Sequence, residues 1–136
     1  MAYGGETWAK KVARDILWRE ATAALKRANV IKGRFVVLAS EEAGDVSTLM
    51  GYGVDRSRIV AVDTSANALR IAQAKFPDVK MVHGDVRKVL LGNERLAGVH
   101  LDFCGPLGRE TIQTCNAAYQ ALPMGGVLCA TFQRAR

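Results

Sequence analysis

A chain of 136 residues, 49% hydrophobic and 24% charged, has the size and composition of one globular domain, 1–136, able to bury a core without disulfides, and falls outside the disordered and fibrous classes. Nineteen Lys and Arg against thirteen Asp and Glu leave a net charge of +6, which draws a polyanion by long-range attraction, so a nucleic acid is one candidate partner and a merely solvated basic face the alternative. No apolar run approaches the roughly 18 residues of a membrane span, and the opening Met1-Ala2-Tyr3-Gly4-Gly5-Glu6 lacks the basic-then-apolar order of a secretory leader; the expectation is a cytoplasmic protein with no membrane partner.

In residues 6–28 the apolar positions Trp8, Val12, Ile16, Leu17, Ala21, Ala24, Leu25 and Ala28 recur at spacings of three and four, which predicts an amphipathic helix. Lys10, Lys11, Arg14, Arg19, Lys26 and Arg27 make its other face basic, suited to a phosphate backbone or simply to water. Residues 1–32 thus precede a core at 33–136. After Lys32-Gly33, the run Phe35-Val36-Val37-Leu38-Ala39 has the short, β-branched character of a strand buried on both faces, and similar runs occupy 58–64, 79–85, 99–103 and 127–132. Helical patterns separate the strands. They cover 45–52, then 65–76 with Ser65 as N-cap, Ala68, Leu69, Ile71 and Ala72 facing inward and Pro77 as the stop, a brief 86–91, and 109–122 closed by Pro123-Met124-Gly125-Gly126. Such alternation imposes right-handed crossovers and therefore an α/β fold with a doubly wound parallel sheet.

In that architecture ligands bind beyond the carboxyl ends of the strands. Those ends are Ser40-Glu41-Glu42-Ala43-Gly44-Asp45 after the first strand, Asp63-Thr64 after the second, Gly84-Asp85 after the third and Asp102-Phe103-Cys104-Gly105-Pro106 after the fourth. Asp63 lies 19 residues beyond Gly44, near the spacing of about 20 at which a carboxylate reaches a ribose diol, a reading preferred to its alternative, a cap on the helix opening at Ser65. The G-x-G-x-x-G of a dinucleotide site is absent, and Glu41, Glu42 and Asp45 would repel a pyrophosphate. Charge favours a cofactor without phosphate and with a cationic centre, S-adenosylmethionine.

At these residues the sequence resembles the class I S-adenosylmethionine-dependent methyltransferases, over about residues 34–133. Gly44 falls on the last of the family's three alternating glycines, with Ser40 and Glu42 on the first two. The resemblance implies a strand order 3-2-1-4-5 and a cofactor held by Ser40, Glu41, Glu42, Ala43 and Gly44. It also implies Asp63 with Thr64 at the ribose, Gly84, Asp85 and Val86 at the adenine, and Asp102 as the catalytic residue facing the acceptor. Direct in-line transfer to a nitrogen or oxygen would follow, with nucleic acid as one candidate acceptor. Three departures stand out. Glu42 replaces a glycine that lets backbone approach the cofactor, the fourth motif lacks the (Asn/Asp)-Pro-Pro-aromatic form, and after the fifth strand only Gln133-Arg134-Ala135-Arg136 stand where the family has a helix and antiparallel hairpin. Two other functions fit the same pattern: a non-catalytic binding or assembly module, self-associating through an open sheet edge or the first helix, and another nucleoside-binding enzyme of this fold.

The remaining polar and aromatic residues each have a plain reading. Cys104, Cys115 and Cys129 show no metal-ligand spacing, so no metal site is expected, and Cys104 reads as a buried strand-end residue before it reads as a nucleophile. His100 falls inside the fourth strand and is expected to be structural; His83, next to Gly84-Asp85, is a candidate base. Trp8 and Trp18 are expected to be core or interface anchors on the first helix.

Overall fold

The computed structural model describes residues 8–92, 95–103 and 106–132. Along them run α1 (Trp8–Arg27), β1 (Arg34–Leu38), α2 (Gly44–Gly51), β2 (Ile59–Asp63), α3 (Ala66–Lys75), β3 (Lys80–His83), α4 (Val86–Leu90), β4 (Leu96–Asp102), α5 (Arg109–Ala121) and β5 (Val127–Thr131). The strands form one parallel sheet in the order β3-β2-β1-β4-β5, as the alternation of elements and the resemblance predict.

β1 is central, with Val36 registered against Val60 on one side and Val99 on the other. Its apolar run is continuous because both faces are covered. On one face Trp18, Leu25, Val46, Leu49 and Leu69 from α1, α2 and α3 pack against Phe35, Val37, Ile59 and Ala61. On the other, Val86, Leu90 and Ala118 from α4 and α5 cover Val36, Val60, Val62, Val99 and Leu101. Side chains alternate between these two cores at the strand period of two.

Two expectations are corrected in detail. The inward face of α1 is Trp18, Ala21 and Leu25, whereas Trp8 is 79% exposed and Val12 and Ile16 also face out. Trp18 on that face is hydrogen-bonded to a buried carboxylate described below. β4 begins at Leu96, three residues before the β-branched signal at Val99. Gly98 hides the pattern, and it does so because the Phe35 ring packs where its side chain would stand: a Cβ there would lie 3.0 Å from Phe35 Cδ1.

β5 ends the described sheet, and its second edge pairs with no strand among the described residues. Among those residues no helix is long and apolar enough to cross a membrane.

Candidate functional site

The chain leaves β1 through a loop that needs two left-handed backbone positions, Ser40 at φ 53° and Ala43 at φ 49°. Neither is glycine. Glu42, which replaces a family glycine, takes no left-handed conformation, so its side chain is accommodated without backbone strain. The loop is tied down by Asp63 at the end of β2, whose Oδ2 accepts from the Ser40 amide at 3.0 Å while Oδ1 accepts from the Ser65 amide at 2.8 Å. Ser65 itself caps α3, its Oγ accepting from the Ala68 amide at 3.2 Å. Asp63 therefore joins two strand ends, and its carboxylate keeps further lone pairs for a ligand.

Past β3, Gly84 at φ 150° turns the chain into α4, and Asp85 caps that helix by accepting from the Arg87 amide at 2.9 Å. The Arg87 guanidinium reaches the other Asp85 oxygen at 3.5 Å and Gln113 Oε1 at 3.1 Å, linking α4 to α5. At the end of β4, Asp102 Oδ1 accepts from Thr131 Oγ1 at 2.5 Å. Phe103 stacks on Phe132, with ring centroids 5.3 Å apart and planes 23° from parallel.

Beneath the first loop lies a polar node that sequence reasoning missed. Asp45, in the first turn of α2, has a side chain only 4% exposed. It accepts from Trp18 Nε1 at 2.7 Å, meets His100 Nδ1 at 3.0 Å and pairs with Arg14 Nε at 3.3 Å. The positive end of α2 favours a carboxylate at that position. The Arg14 guanidinium lies across Gly44, where a Cβ would stand 2.2 Å from one of its terminal nitrogens. Gly44 is thus required for this close approach, and Arg14, expected on a solvated or phosphate-facing surface, instead joins α1 to the loop.

The strand ends surround a cleft of about 560 Å³. Of the residues expected at a site, Ser40, Glu42, Gly44, Asp63, Thr64, Gly84, Asp85, Val86 and Asp102 line it together. Glu41 is exposed outside it, and the side chain of Ala43 is buried in the core cluster with Val46 and Leu49. Lys10, Arg14, Glu110, Thr111 and Thr114 complete much of the wall. Six carboxylates, those of Glu42, Asp45, Asp63, Asp85, Asp102 and Glu110, face three cations, Lys10, Arg14 and Arg87. The cleft is electronegative although the chain as a whole carries +6.

Other candidates fall elsewhere. His83 holds the Thr64 carbonyl through Nε2 at 2.9 Å and does not line the cleft. His100 is buried in the Asp45 node, as its strand position suggested, and Trp18 is a core residue. Lys11 and Trp8 border a shallower neighbouring groove. Burial raises the thiols of Cys115 and Cys129 above their ordinary range, and for Cys129 the charge of Asp45 adds to this. Cys104, Gly105 and the terminal segment from Gln133 lie outside the described residues.

No family model and no curated protein matches the chain by sequence. Solved structures do match by fold. The SAM-bound amino pentose methyltransferase CalS10 of Micromonospora echinaspora superposes with a TM-score of 0.71 at 20% identity, over 96% of this chain and 52% of that one. DesVI of Streptomyces venezuelae matches at 0.61 and 17%, over 95% and 58%, and the CcbJ methyltransferase of Streptomyces caelestis at 0.61 and 22%, over 86% and 47%. The chain spans about half the length of these neighbours, and it has the class I methyltransferase fold.

Proposed function

We propose that the chain binds S-adenosylmethionine in the cleft and directs methyl transfer to a nitrogen or oxygen acceptor. The observation that carries this is the convergence of Asp63, Asp85, Asp102 and the Ser40–Gly44 turn on one cavity at the strand ends. The donor set fits the cofactor's chemistry. Asp63 retains acceptor sites for vicinal hydroxyls beyond its bonds to Ser40 and Ser65, and Asp85 offers an acceptor for an amino group. Lys10 and Arg14 bring positive charge for a carboxylate, while the surplus of negative charge suits a sulfonium. When bound, the cofactor would supply an electrophilic methyl group.

The protein's part is alignment and electrostatics. Asp63 clamps the β1 and β2 ends so that the turn is preformed, and Arg14, braced by Asp45, holds the α1 side of the cleft. Asp102, oriented by Thr131, is assigned to the acceptor side. CalS10 is an amino pentose methyltransferase; a small acceptor suits the present cleft better than a polyanion, which its six carboxylates would repel.

Calorimetric titration with S-adenosylmethionine and S-adenosylhomocysteine tests the assignment. Both should bind, and Asp63→Ala, folded by circular dichroism, should weaken both by at least tenfold. Failure of either ligand to bind the wild-type chain at millimolar concentration would remove the proposal and leave the binding-module alternative.

A further inference from the structure

We propose that the acceptor half of the cleft takes a basic amine, so that the transfer is to nitrogen and the substrate is a small amine recognised in its cationic form. The inference rests on the cofactor assignment above and goes beyond it in naming the substrate class. Three observations carry it. First, the walls furnished by the end of β4 and the start of α5 present two carboxylates, Asp102 and Glu110, and Glu110 in the first turn offsets the positive end of that helix. Arg87, the cleft-lining cation carried by α4, is engaged by Asp85 and Gln113.

Second, Phe103 lines the cleft and is backed by the stacked ring of Phe132, giving a flat apolar wall beside those carboxylates. Aromatic faces flanked by anions recognise organic cations and exclude phosphates and carboxylates. Third, among the described residues no imidazole, phenol or thiol lines the cleft. An alcohol would need a base far stronger than a carboxylate to become a good nucleophile, whereas the bound ammonium, once it has given one proton to solvent, is a neutral amine with its own lone pair. In the transfer, that lone pair forms the nitrogen–carbon bond and the pair of the breaking carbon–sulfur bond returns to sulfur. Positive charge passes from sulfur to nitrogen, and one N–H proton then leaves to solvent. Asp102 and Glu110 favour the charge at the position where it arrives.

Binding measurements separate this proposal from the one it rests on. The probes are S-adenosylhomocysteine and sinefungin, which carries an ammonium where the transferable methyl group would stand. Sinefungin is expected to bind at least tenfold more tightly than S-adenosylhomocysteine, and Asp102→Asn should reduce that preference at least fivefold. Glu110→Gln, at an exposed position, provides the same comparison if Asp102→Asn does not fold. Benzylamine should bind the S-adenosylhomocysteine complex and benzyl alcohol should not. If S-adenosylhomocysteine binds but sinefungin shows no preference, or benzyl alcohol binds as well as benzylamine, the amine assignment is overturned and the cofactor assignment stands. If neither nucleoside binds, both fall.

Discussion

Asp45→Ala offers the most demanding test of how the cleft is built. In the native chain this buried carboxylate is met by two hydrogen-bonding groups, Trp18 Nε1 at 2.7 Å and His100 Nδ1 at 3.0 Å, and by an ion pair with Arg14 Nε at 3.3 Å. Hydrogen bonds to a charged group contribute about 1.5–3 kcal/mol each, but these share one acceptor and do not add. Removing the carboxylate leaves a guanidinium whose side chain is only 11% exposed beside an emptied polar cavity, and breaking a buried pair costs about 3–5 kcal/mol. For a domain of this size the midpoint of thermal unfolding should fall by roughly 10–15 °C. Asp45→Asn keeps one acceptor oxygen for Trp18 and should lose about half as much. Urea unfolding followed by far-ultraviolet circular dichroism is the suitable assay, because tryptophan emission would change with the surroundings of Trp18 itself. A double-mutant cycle with Trp18→Phe should give a coupling of about 1–2 kcal/mol. A loss below about 1 kcal/mol for Asp45→Ala, or a coupling near zero, would refute the claim that this node holds α1 against α2.

Ser40→Gly should raise stability by about 0.5–1 kcal/mol in urea unfolding, since Ser40 is exposed and left-handed; Glu42→Gly, at a position without positive φ, should lower it. An equal gain at both positions would contradict the loop geometry. The Cys129 thiol is raised by burial and by Asp45, so the folded chain keeps its proton where the unfolded chain has lost it. That contribution to stability is complete below the ordinary thiol range and is lost as pH rises through the raised value, and peptide mapping after iodoacetamide treatment at pH 8 should show Cys129 labelled more slowly than a free thiol. Labelling as fast as a free thiol would sink this. The second edge of β5, which pairs with no strand among the described residues, should let the chain self-associate at high concentration, and a monomeric sedimentation profile across a concentration series would count against it.

The sheet was legible because β1, β2 and β4 are short apolar runs punctuated by Gly, Pro and Asp, and each ends where its chemistry begins. Asp63, Asp85 and Asp102 could be found from strand ends alone. Trp18 was read as a core or interface anchor and is buried, but the row Trp8, Val12 and Ile16 from which the helix was read stays exposed. The partners of Trp18 lie 27 and 82 residues away in sequence, and no periodicity reports a contact made through a side-chain hydrogen bond. Asp45 was read as one more negative charge near the cofactor, and His100 was recognised as structural without its partner. Arg14 was read as part of a basic helix face, and its pairing with Asp45 was not legible because helical position gives the direction of a side chain only to within its length.

The charge teaches a related lesson about what a total can predict. A net +6 invites a polyanion, yet a field is set by which charges face a ligand and how far solvent screens the others. Arg19 pairs with Glu20 at 3.4 Å and Arg56 with Asp78 at 3.0 Å on the open surface, where such pairs add little to any binding site. Lys26 and Arg27 sit in the last turn of α1, at its negative end. Of the cations that reach the cleft, Arg14 is turned to Asp45 and Arg87 to Asp85. What remains beside Phe103 is the pair Asp102 and Glu110, with Lys10 on the α1 side of the cleft. The local balance is therefore the opposite of the total, and that balance is the ground on which the proposal above names a cationic acceptor.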